Sequence, residues 1–133
     1  MAVNPLHHLE LYVSRLDKSE TYWGWLLPEL GFTPFQHWEK GRSWRHGDFY
    51  LVIVQTEERF QDVSYHRCRT GLNHLAFRVP KRADVDWLTQ EVKKRGMPVL
   101  YEDRHPFAGG PDHYALYTED PDRIKVEIAA EEA

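Results

Sequence analysis

Three residues of this chain carry side chains suited to holding a divalent cation and stand at matched places in the sequence: His8, His74 and Glu127. Two imidazole nitrogens and one carboxylate suit iron, manganese, nickel, cobalt or zinc and leave coordination positions open. The histidines occur in similar segments, PLHHLELYV and TGLNHLAFRV, which set His8 opposite His74, Leu9 opposite Leu75 and Val13 opposite Val79. The offset is 66 residues, half of the 133-residue chain. Both segments alternate apolar and polar types, the period of a half-buried strand whose alternate side chains share a face. Leu9, Leu11 and Val13 then face a core, and His8, Glu10 and Tyr12 face away from it. The same parity sets Leu75, Phe77 and Val79 against His74, Ala76 and Arg78, and Ile124, Val126 and Ile128 against Lys125 and Glu127. His7 has the parity of the core and is set aside. Taken singly, a strand histidine is commonly structural and a Glu near the end of a chain commonly solvated. Recurrence at repeat positions, always on the non-core side, is what favours ligation.

Glu10 shares its face with His8, so it is either a general base beside the cation or a hydrogen-bond partner that orients a ligand. Tyr12 and Arg78 lie further along the same faces, as substrate-positioning groups or as solvated rim residues. In RHPFAGGPDHY, glycines and prolines allow unusual backbone between His105 and His113. That segment is either a wall or lid carrying two substrate-binding histidines, or a plain connection between strands. His37, His46 and His66 lack ligand spacing and read as surface residues.

The elements that position these groups recur in each half. A helix is expected from about Lys18 to Leu30, with Asp17 and Glu20 as a capping box and Gly31 at its exit. A second is expected from about Arg82 to Arg95, followed by Gly96. Strand-like stretches follow at Thr33 to Glu39, Ser43 to His46 and Asp48 to Gln55, and again at Val99 to Asp103, His113 to Thr118 and Arg123 to Ala129. Polar residues Glu57 to Arg69 join the halves without a Gly/Ser linker. The expectation is an α+β chain forming one domain, 1–133, built from pseudo-repeat halves 1–65 and 66–133.

Composition narrows the partners. The formal charge is −4 with no isolated basic cluster, which gives no nucleic-acid footprint. Cys68 is the only cysteine, which rules out an intrachain disulfide and a thiolate zinc cage. The apolar run Phe49 to Val54 is too short to span a bilayer, and MAVNPLHHLELYV has neither the basic start nor the apolar stretch of a secretory signal; a cytoplasmic location is expected. Aromatics make up 14 % of the chain, enough for flat pocket walls or simply for bulky core.

HHLELYV, NHLAFRV and the closing EDPDRIKVEI resemble the vicinal oxygen chelate superfamily, which includes glyoxalase I, fosfomycin- and bleomycin-resistance proteins and extradiol dioxygenases. The resemblance covers essentially the whole chain. It implies two βαβββ modules in pseudo-twofold arrangement, forming a U-shaped, partly open eight-stranded barrel around one divalent metal ion held by His8, His74 and Glu127. It also implies a homodimer and a small-molecule substrate with adjacent oxygens, handled by a lyase, isomerase, transferase or dioxygenase reaction. Its bleomycin-resistance branch implies an alternative, metal-free binding of a small molecule. Glyoxalase I enzymes use a further Glu on the last strand of the first half. Aligning Asp48 with Asp122 sets Ile53 opposite Glu127, and FYLVIV holds no carboxylate, with Gln55 the nearest polar group.

Overall fold

The computed structural model describes residues 4–133 and divides into two compact units, one ending at Ser64 and the other beginning at Tyr65. In the first, β1 (His8–Val13) leads into α1 (Leu16–Glu29), then β2 (Thr33–Trp38), β3 (Gly41–His46) and β4 (Phe49–Gln55). The sheet order is β1-β4-β3-β2, with β1 and β4 parallel and the remaining pairs antiparallel. In the second, β5 (Leu75–Val79) leads into α2 (Arg82–Lys94), then β6 (Ala115–Glu119) and β7 (Lys125–Ala130), in the order β5-β7-β6. The α+β class follows: two helices and two open mixed sheets among the described residues. No described helix is long and apolar enough to cross a membrane.

The alternation along β1 becomes a burial pattern. Leu11 and Val13 are buried and Leu9 half-buried, whereas His8, Glu10 and Tyr12 are exposed. Trp23, Leu26 and Leu27 of α1 are fully buried, as are Leu51 and Ile53 of the neighbouring strand. Val85, Leu88 and Val92 of α2 likewise bury with Val126 and Ile128. Stacking an amphipathic helix on one face of each sheet removes these side chains from water and leaves the opposite faces for chemistry.

Three expectations are corrected. The strand expected over Val99 to Asp103 is a single bridge, Val99 to Thr118, so the described residues form seven strands and show no eight-stranded barrel. Tyr101 turns the chain with φ of 55°, and its carbonyl accepts from the N–H groups of Arg104 and His105 at 2.9 Å each, which ends any extended run. The capping box at Asp17 and Glu20 does not form either. α1 starts earlier, at Leu16, whose N–H donates to Gln55 Oε1 at 2.8 Å, and Glu20 instead pairs with Arg42 at 3.0 Å. A side chain from the end of the parallel neighbouring strand thus caps the helix, much as Glu132 Oε1, just past β7, does for the Arg82 N–H of α2 at 3.0 Å. Finally, register shifts the match between halves by one residue. Leu9 pairs with Leu51 and Leu75 with Val126, so the counterpart of Glu127 is Val52 and not Ile53. Either way the first half offers no carboxylate there.

Candidate functional site

Glu127 is the point on which the second unit converges. It is only 7 % exposed, although it lies on the side of the sheet turned away from α2. Its placement begins at the Asp-Pro-Asp turn. Buried Asp120 accepts from the N–H groups of Asp122 at 2.9 Å and Ile124 at 2.8 Å, a compact turn that starts β7 in fixed register. That register sets Tyr117 of β6 directly opposite Glu127 and Ala76 of β5 beside it.

Three side chains reach the carboxylate. His74 Nε2 lies 3.2 Å from Oε1, His113 Nε2 lies 2.5 Å from Oε2, and Tyr117 stands near enough for Glu127 to raise the pKa of its phenol. The Tyr117 phenol is pushed up to about 12, by burial first and then by the negative charge of Glu127. It is therefore a proton donor throughout the neutral range. A buried carboxylate without such partners would be costly, and these partners offset that cost.

The His74 ring is held from both ends. Its Nδ1 lies 2.8 Å from Asn73 Oδ1, which accepts the Nδ1 proton. In that tautomer the ring presents the Nε2 lone pair to Glu127 Oε1 at 3.2 Å; with the Asn73 amide turned over, Nε2–H donates to that oxygen instead. A cation between or beside the two atoms completes the first arrangement, and the second is complete without one. Metal bonds of about 2.0–2.2 Å at ordinary angles set neighbouring ligand atoms roughly 3.0–3.5 Å apart, so His74 and Glu127 already have the spacing of two ligands on one ion. The donor set fits. Among the described residues no group of three or more His, Cys, Asp or Glu side chains is placed to hold a metal ion.

The other expected site residues are placed as follows. His8, in the first unit, has Nδ1 2.8 Å from His7 Nδ1 and its ring stacked on Tyr50 at 4.8 Å, which leaves Nε2 as its remaining donor atom. Glu10 is exposed beside Val52. Tyr12 borders a cavity of about 460 Å³ lined by first-unit residues, including Lys40, Thr56 and Glu57. Arg78 is exposed and pairs with Glu131 at 2.7 Å. His105 turns to α2, with Nε2 3.5 Å from Thr89 Oγ1, and burial together with the charge of Lys93 pulls its pKa down. Gln55 is occupied in capping α1 and also donates to the Ser14 carbonyl at 2.8 Å.

Tyr117 is the residue that sequence reasoning missed. A hairpin centred on Asp122 sets residue 117 opposite residue 127, so the Asp-Pro-Asp turn held the signal.

The family model described as Glyoxalase/Bleomycin resistance protein/Dioxygenase superfamily matches residues 5–128. A Bacillus halodurans protein solved as a candidate glyoxalase is 60 % identical with a TM-score of 0.94, over 95 % of each chain. Glutathione transferase FosA of Serratia marcescens is 32 % identical, over 92 % of this chain and 78 % of its own length. The fosfomycin resistance protein FosX of Listeria monocytogenes, solved as a single-residue mutant, has the same fold with a TM-score of 0.70 at 20 % identity, over 96 % of this chain and 92 % of that one. By the extent of the model match and by the full-length likeness to FosA, this chain belongs to the Glyoxalase/Bleomycin resistance protein/Dioxygenase superfamily.

Proposed function

We propose that this chain is a metal-dependent enzyme acting on a small molecule with two adjacent oxygens, and that His74 and Glu127 are two of the metal's ligands. The observation that carries the proposal is the facing of His74 Nε2 and the buried Glu127 Oε1 at ligand-to-ligand distance. His8 enters as the third ligand on the strength of the repeat pattern alone. FosX was solved with Mn(II) and 1S,2S-dihydroxypropylphosphonic acid, a compound whose name describes adjacent hydroxyls; that supports both the ion and the substrate class. The likeness to a glutathione transferase, together with Val52 at the counterpart of Glu127, favours a transferase or related addition over glyoxalase-type isomerisation.

When bound, a divalent ion supplies polarisation of substrate oxygens and stabilises the negative charge that grows on them. The chain's own groups do the rest. Asn73 fixes the His74 ring with Nε2 forward, and Tyr117 offers a hydroxyl proton beside Glu127. Glu10 is the proposed proton acceptor, while Tyr12 and Arg78 are the proposed substrate-positioning groups. Homodimer formation is part of the proposal, supported by β2, an edge strand exposed at all six positions, including Phe35 and Trp38.

One observation favours a second reading, metal-free binding of a small molecule: Glu127 already has two hydrogen-bonding partners, His74 and His113, from the chain itself. Elemental analysis of gently purified protein separates the two. The enzyme reading expects close to one divalent ion per chain, lost in His74→Ala, with activity that follows metal content. Ligand affinity that survives complete chelation supports the second reading instead.

A further inference from the structure

The two units differ most where each chain leaves its helix. In the first, residues 30–40 carry edge strand β2 and turn directly into β3; in the second, the longer stretch 95–114 forms no strand and ends by bringing His113 to Glu127. We propose that this stretch has given up an edge strand in order to deliver His113 as a positioning residue. Its imidazole holds Glu127 Oε2, so that Oε1 stays turned toward His74. The inference rests on the metal reading above and deepens it.

The delivery is rigid. Tyr114 donates to Asp86 of α2, and the Arg82 guanidinium lies over the Tyr114 ring at 4.8 Å and the Phe107 ring at 6.0 Å. The Ala115 N–H donates to the Pro106 carbonyl at 2.9 Å, and the His113 N–H to that of Gly110 at 3.2 Å. Gly109 closes the back of the imidazole: a Cβ there would stand 2.6 Å from His113 Cδ2 and 2.7 Å from the Tyr117 hydroxyl oxygen. Only a bare backbone fits against both of these groups. A segment tied to α2 at several points does not behave as an open lid. It holds one ring in place. The 2.5 Å contact also fixes the carboxylate's rotation, since the two oxygens of Glu127 are claimed separately by His113 and His74.

The test uses the full chain, stripped of metal, titrated with Mn²⁺ alone while free Mn²⁺ is followed by electron paramagnetic resonance. His113→Ala and His113→Phe, the latter keeping a ring against Gly109, are expected to weaken Mn²⁺ binding about tenfold to a hundredfold. His113→Gln, whose amide N–H can still reach the carboxylate, is expected to recover most of the loss. The Co²⁺ absorption bands of wild type and His113→Gln are expected to coincide, because the ligands are unchanged. Wild-type affinity in both His113→Ala and His113→Phe overturns this inference alone. Bands that move in His113→Gln overturn it in favour of direct ligation by His113. A wild-type chain that takes up no Mn²⁺ overturns the metal reading and this inference with it.

Discussion

Asn73 and Glu127 approach the two nitrogens of one imidazole, so the orientation of the Asn73 amide decides whether His74 Nε2 donates to the carboxylate or shares a cation with it. At this scale the sequence was informative about faces and silent about partners. Parity alone separated His74 and Glu127 from the core, because strand alternation is strict once one side is buried. The approach of His113 was not legible, since it depends on an irregular segment whose path is set by contacts with α2. Gly109→Ala tests how tight that approach is. The added methyl must displace His113 or Tyr117, and a loss of about 1–3 kcal/mol in denaturant unfolding is expected. Unchanged stability would mean that the loop yields freely.

Helix starts and the cross-links that hold them belong to the scale of elements. Both helices were legible to within two residues at their starts, because apolar spacing and exit glycines are local signals. The capping of α1 was not, because the acceptor comes from Gln55, at the end of β4 and remote in sequence. Gln55→Ala removes that acceptor and the donor to Ser14, and about 1–2 kcal/mol of stability should go with them. An unchanged unfolding midpoint would contradict the assignment. His105 gives a pH prediction for the packing of its segment on α2. Burial and Lys93 lower its pKa, while Asp86 and Glu102 oppose the shift. The folded chain therefore takes up this proton less readily than the unfolded one, whose histidine titrates near 6.5. The contribution is complete above about 6.5 and is lost as pH falls through the lower, folded-state value. Melting temperature should drop between about pH 7 and pH 5, and His105→Gln should drop less. Parallel pH profiles for the two proteins would remove His105 from the account.

At the scale of the whole molecule, the internal repeat was the strongest signal in the sequence, since two βαβ starts at a fixed offset constrain topology far more than any single motif. It overreached in one respect: it assumed equal halves, and the second unit spends its edge strand on an irregular segment. A cation that binds the folded chain alone must also stabilise it. Mn²⁺ at about a hundred times its dissociation constant should add about 2.7 kcal/mol to unfolding free energy, read as a rise in melting temperature that His74→Ala lacks. The central claim is tested most directly by anomalous diffraction at the manganese edge from crystals of Mn²⁺-loaded protein. A single strong peak within roughly 2.0–2.3 Å of both His74 Nε2 and Glu127 Oε1 is predicted. A peak bonded to neither atom, or no peak in protein shown to be loaded, would contradict it.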